Sequence, residues 1–98
     1  MEFKVEVLRR ANLELCETYE YYERLATNLG AKFIGDYENH LDTLYNIPFF
    51  ENKYNKIRVL PLKIFPYSIH FSVDEVKKLV TIHAVISDRR NPDLTRVK

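Results

Sequence analysis

"KIFPYSIHFSVD", Lys63 to Asp74, decides the fold. Tyr67, Ile69, Phe71 and Val73 alternate with Ser68, His70 and Ser72, the two-residue period of a strand with one apolar and one small polar face. Pro66 ends the irregular "LPLKI" segment and fixes how Tyr67 enters that strand. Downstream, "DEVKK" reads as a short charged connection, and "LVTIHAVIS" (79–87) as a β-branched strand whose scarcity of polar residues predicts an interior position. Its apolar residues Val80, Ile82, Val85 and Ile86 do not keep one clean alternation, so a bulge is expected to set the direction of His83. Upstream, Ile57 and Val59 alternate with Arg58 and Leu60 until Pro61 disturbs the ladder, which predicts a short strand. "FFENKYNK" carries neither period and reads as a loop.

The first half has a different period. "FKVEVL" alternates Phe3, Val5 and Val7 with Lys4 and Glu6, as a half-buried strand does. Asn12 then sits where a helix N-cap belongs, with Glu14 in the first turn, and Leu15, Tyr19, Tyr22, Ala26 and Leu29 recur at spacings of three and four. Gly30 is expected to take the left-handed conformation that stops this helix. A second stripe, Ile34, Tyr37, Leu41 and Leu44, has Phe33 and Tyr45 beside it and ends at Pro48. The few residues between the two stripes are a connection fit for an antiparallel helical hairpin. The predicted order is strand, helix, helix, then three strands, a segregated α+β fold with the hairpin on one face of a mainly antiparallel sheet.

The 98 residues suffice for one domain, and a hydrophobic content of 46% with six Phe and seven Tyr fills a core without Trp. A formal charge of +1 excludes a strongly basic nucleic-acid binder, so any such role must rest on local clustering. The charge is unevenly placed. Glu14, Glu17, Glu20, Glu23, Asp36, Glu38, Asp42 and Glu51 face only Arg24 and Lys32, whereas ten basic residues from Lys53 onward face Asp74, Glu75, Asp88 and Asp93. The single cysteine, Cys16, permits no internal disulfide, and the N-terminus has no apolar run of signal-peptide length; a soluble cytoplasmic protein without membrane partners is expected.

If the apolar face of the Tyr67 strand packs on the helices, Ser68, His70 and Ser72 look away from them, and Arg58 is expected to join them on a basic, polar sheet face with Lys56 and Lys63 nearby. Arg58 suits bidentate binding of phosphate or carboxylate. His70 and His83 titrate where a general acid or base works. "SDRRNP", Ser87 to Pro92, adds Arg89 and Arg90 at the exit of the last strand. His40, His70 and His83 have no metal-ligand spacing, and two glycines are too few for a phosphate-binding loop, so neither metal nor other cofactor is expected. Tyr19 and Tyr22 are assigned to the core stripe, which leaves only Tyr21 facing outward for base stacking.

These segments together resemble the RelE/ParE superfamily of bacterial type II toxins, and its ParE-like branch more closely. "ANLELCETYEYYE" is similar to that branch's first helix, "GAKFIGDYENHLDTLYNIP" to its second, "KIRVLPLKIFPYSIHFSVD" to its arginine strand and Phe-Pro-Tyr strand, and "IHAVISDRRNP" to its last strand and Arg-x-Pro exit. The resemblance implies a toxin held silent by a cognate antitoxin that wraps an extended or helical segment around it beside the hairpin and sheet edge. ParE-like members poison DNA gyrase, and RelE-like members cleave messenger RNA on the ribosome. Arg58 matches the family's strand arginine, Tyr67 the aromatic that opens the next strand, and Arg90 the arginine before Asn-Pro. Ser87 stands where many relatives have histidine, and no Tyr or His follows Ile86, which favours a non-enzymatic inhibitor. The alternatives are a ribosome-dependent ribonuclease, with Arg58, His70, His83 and Arg90 as its candidate catalytic groups, and a decayed member that only binds antitoxin.

Overall fold

Strand β1 (Lys4–Val7) leads into helices α1 (Arg9–Leu25) and α2 (Leu29–Asn46), and strands β2 (Asn52–Tyr54), β3 (Ile57–Pro61), β4 (Tyr67–Asp74) and β5 (Leu79–Ser87) follow. The structure is a computed structural model that describes residues 3–46, 52–54 and 56–89, for 52–54 the backbone alone. The strands form one sheet in the order β1-β5-β4-β3-β2, parallel between β1 and β5 and antiparallel elsewhere. β5 is thus an interior strand, as its composition requires. β2 corrects the reading of "FFENKYNK" as loop: Asn52 pairs with Arg58 and Tyr54 with Ile57 in an irregular edge ladder. Such pairing is made by the backbone, and a three-residue edge strand leaves too short a period to be read in sequence.

Both helices cover one face of the sheet. Ala11 and Leu15 of α1 and Phe33, Tyr37 and Leu44 of α2 share one buried cluster with Leu60, Ile69, Phe71, Val80, Ile82 and Val85. Burial pushes the Tyr37 phenol up to about 12, so it is protonated at neutral pH. Phe65 and Tyr67 of the Phe-Pro-Tyr triplet close an aromatic box with both helices: Phe65 meets Tyr22 at 4.9 Å and Phe33 at 5.5 Å, and Tyr67 meets Phe33 at 5.3 Å between ring centroids. All three are edge-on contacts, the geometry aromatic quadrupoles prefer.

The helix boundaries differ from the reading by one turn. α1 begins at Arg9, not after Asn12, and no side chain caps it. The Leu8 N–H donates instead to Ile82 C=O at 3.0 Å, and Asn12 N–H makes the first helical bond to Leu8 C=O at 3.1 Å. The β1–β5 ladder therefore hands the chain directly to the helix, and an N-cap side chain is unnecessary. Of the predicted α1 stripe, Leu15 is buried and Tyr22 partly so, but Tyr19 is 39% exposed; Ala11 and Thr18 fill the remaining buried positions.

At the other end the left-handed residue is Asn28, at φ 68, and Gly30 lies inside the first turn of α2 with no positive φ. Glu23 caps that turn, its carboxylate accepting from Asn28 N–H at 3.3 Å and Ala31 N–H at 3.2 Å. Gly30 has another duty. A Cβ there would stand 2.5 Å from the Tyr19 carbonyl oxygen and 2.7 Å from Glu23 Cγ, so the helices cross where only a hydrogen fits. The Pro48 expected to end α2 lies outside the described residues; the helix runs to Asn46.

Candidate functional site

The register of β3, β4 and β5 allots each predicted site residue to a face, because cross-strand partners point the same way. Val59 pairs with His70, and Ser68 with Ile86, on the face away from the helices; Leu60 pairs with Ile69, and Arg58 with Phe71, on the helix side. The expectation that Arg58 joins Ser68 and His70 is therefore corrected. A strand alternates strictly, so an arginine two residues before a core leucine must share its face.

On the face away from the helices the structure brings together the small polar residues and both strand histidines. Between His70 and Phe71 the β5 register slips by one residue, from Ala84 to Ile82, which makes His83 the extra residue of a bulge. His83 Nε2 lies 2.8 Å from Ser72 Oγ. Ser68 Oγ donates to Asp88 Oδ1 at 2.6 Å, and Asp88 N–H donates to the Pro66 carbonyl at 2.9 Å. Burial lowers the pKa of both His70 and His83; for His70 the nearby Asp88 carboxylate pulls it back up and Arg10 pushes it down. Both imidazoles are neutral near neutral pH, and the acid next to His70 is Asp88.

The predicted cations do not gather there, and the cation that acts on His70 is Arg10 of α1. Lys56, in a left-handed turn at φ 63, and Lys63, exposed in the β3–β4 loop, stand at opposite ends of β3. Arg89 follows β5, exposed, on a cleft beside α1. Arg90, with the rest of the Arg-x-Pro exit, lies outside the described residues. Among the described residues no group of three His, Cys, Asp or Glu is placed to hold a metal ion, and no helix is long and apolar enough to cross a membrane.

A cleft of about 610 Å³ opens between α1 and the end of β5, lined by Glu14, Thr18, Tyr21, Tyr22, Tyr67 and Arg89 among others. Its size is that of an ordinary ligand cleft. Burial raises the Tyr22 phenol, helped by its neighbour Tyr67 and opposed by Arg89. Tyr21 is 49% exposed and packs edge-on against Tyr22 at 5.2 Å. It faces outward as expected, but into this cleft.

Similarity in three dimensions spans nearly the whole chain. A structure described as the chromosomal ParDE TA system from P. aeruginosa superposes with a TM-score of 0.77 at 20% identity, covering 88% of this chain and 96% of that one. The chain has the RelE/ParE fold. The archaeal RelE-RelB complex from Pyrococcus horikoshii OT3 superposes at 0.58 with 13% identity over 93% of this chain and all of that one, and the isolated E. coli RelE toxin at 0.50 with 12% identity over 95% and 92%. Comparison with protein-family models and with curated protein sequences produced no match.

On this RelE/ParE framework two carboxylates do positioning that was not foreseen from sequence. Asp36, 3% exposed, accepts from Ile64 N–H at 2.9 Å and Phe65 N–H at 3.0 Å and ties the β3–β4 loop to α2. Glu14 accepts from Val85 N–H at 2.9 Å and from Arg10 Nε at 3.3 Å, tying α1 to the strand beyond the bulge. Asp36 interrupts an apolar stripe, which is the one sequence signal that marks a buried, bonded acid. Glu14 gives no such signal, since an exposed helical glutamate has the same pattern.

Proposed function

We infer that the chain is the toxin of a type II toxin–antitoxin pair, of the ParE-like kind, that inhibits growth by binding a protein target, DNA gyrase, and is neutralised by a cognate antitoxin. The observation that carries the reading is the likeness to the ParDE structure over almost all of both chains. The face that would serve a ribonuclease supports the choice of a non-enzymatic mode. Cleavage at a ribose 2′-hydroxyl needs cations to stabilise phosphate as charge builds. That face carries Ser68 bonded to Asp88 and Ser72 bonded to His83, while Arg58 shares the opposite face with Phe71. Asp88 beside a neutral His70 repels a phosphodiester and offsets the charge that Arg10 brings to that histidine.

The test is a supercoiling assay with purified chain and gyrase, run in parallel with translation extracts examined for transcript cleavage. Inhibited supercoiling with intact transcripts is the expected result. Transcripts cut in the ribosomal A site, with cleavage lost in Arg58→Ala or Arg90→Ala, would replace the reading by the ribonuclease one, for which the likeness to RelE is the supporting observation. Harmless expression without antitoxin would leave a protein that only binds its antitoxin.

A further inference from the structure

The cleft beside α1 exists because β1 stops early. β1 pairs with β5 only from Leu79 to Ile82, and the chain then turns into α1, so beyond the bulge the helix flanks an open strand edge. On the helix wall Glu17 and Tyr21 are four residues apart and therefore neighbours, one turn from each other. On the strand wall Arg89 follows β5. Its backbone is pinned: Arg89 N–H donates to Ser87 Oγ at 3.3 Å, and the preceding Asp88 is held by the Pro66 carbonyl at 2.9 Å and by Ser68 Oγ at 2.6 Å. Tyr22 is equally fixed, with its ring edge-on to Phe65 at 4.9 Å and to Tyr67 at 6.2 Å. The walls are built before any ligand arrives.

The charges of this cleft are matched but not paired. Glu14 is already engaged, with Val85 N–H at 2.9 Å and Arg10 Nε at 3.3 Å. Glu17 has no hydrogen-bond or ion-pair partner among the described residues, and the Arg89 guanidinium, which acts through space on the Tyr22 phenol, forms no ion pair with any of them. One carboxylate and one guanidinium thus line the same cleft without meeting, and Tyr21, Tyr22 and Pro66 supply apolar surface around them. A ligand that satisfies all three features carries an ammonium, a carboxylate and an apolar group. A phosphate ester fits worse, since Arg89 would draw it in against two glutamates. We propose that the cleft between α1 and β5 binds a free α-amino acid with an aromatic side chain, its ammonium on Glu17 beside the Tyr21 ring, its carboxylate on Arg89 and its side chain against Tyr22 and Pro66. The inference stands apart from the toxin reading, since it concerns a small molecule and not a macromolecular target.

The experiment is an NMR titration of the full chain with L-phenylalanine. Saturable shifts at Tyr21, Tyr22, Ser87 and Arg89 are expected. L-Phenylalaninamide lacks the carboxylate and N-acetyl-L-phenylalanine lacks the ammonium; each should bind about tenfold more weakly, because each leaves one charge of the cleft unmatched. Arg89→Gln should lose the preference for L-phenylalanine over its amide, and Glu17→Gln the preference over the N-acetyl compound. Both side chains are exposed, so neither change disturbs the core. Equal binding of the three compounds, shifts confined to another face, or the absence of saturable shifts would overturn the site. Variants that keep both preferences would overturn the parts given to Glu17 and Arg89.

Discussion

Asp36 Oδ2 accepts a hydrogen bond from the backbone N–H of Phe65 at 3.0 Å, across 29 residues of sequence. With Ile64 N–H on the same oxygen, one buried carboxylate holds the loop that carries Phe65 into the aromatic box. Asp36→Ala leaves one buried and one part-buried donor without an acceptor and is expected to cost about 2 kcal/mol, with Asp36→Asn losing less because its amide oxygen still accepts. Urea unfolding of the three proteins reads this directly; equal stability of Asp36→Ala and the natural chain would show that the loop is held by Phe65 packing alone.

The two glycines of α2 should respond in opposite directions. Gly30→Ala sets a methyl against the Tyr19 backbone and forces the helices apart, at about 1–3 kcal/mol. Gly35 has open space for 4 Å around the point where a methyl group would stand, so Gly35→Ala should stabilise by up to about 1 kcal/mol through helix propensity. Thermal melts that rank both variants alike would contradict the tight helix crossing.

Stability should fall on mild acidification. Burial holds the pKa of His70 and His83 below the usual 6.5, so the unfolded chain takes up these protons first. The stability from neutral imidazoles is complete above 6.5 and is lost as pH falls through the folded values. His70→Gln should flatten part of this slope, and Asp88→Asn, by removing the charge that raises His70, should extend the loss to lower pH. A pH series of urea midpoints is the measurement; an unchanged slope in His70→Gln would remove His70 from the account.

Glu14→Ala should act locally. Losing a charge-assisted bond to a strand edge that water can reach should cost about 1 kcal/mol. Its specific signature is faster exchange of the Val85 amide with little change at Val80 or Ile82, whose edge is covered by β1. Uniform acceleration along β5 would mean that Glu14 supports the whole strand.

Most of the architecture was legible because its elements keep strict periods. Tyr67 to Val73 and Phe3 to Val7 alternate, and Phe33, Tyr37 and Leu44 recur with the helix, since burial on one side of a regular backbone leaves that imprint. The site was less legible. Placing Arg58 needed the register of β3 against β4, which hairpin geometry and the Asp36-held loop set together. The α1 cleft joins residues from positions 14 to 89, and no local pattern records that meeting.

By itself the sequence determined the elements other than β2, their order and the hairpin on one face of the sheet, because hydrophobic periodicity is a local property of the chain. Only the tertiary structure decided that Arg58 shares a face with Phe71, that Gly30 serves a helix crossing and not a helix stop, and that β5 keeps an open edge beside α1. Those outcomes depend on strand register, on close approach between backbones and on where β1 ends, and each is fixed by contacts between residues far apart in the chain.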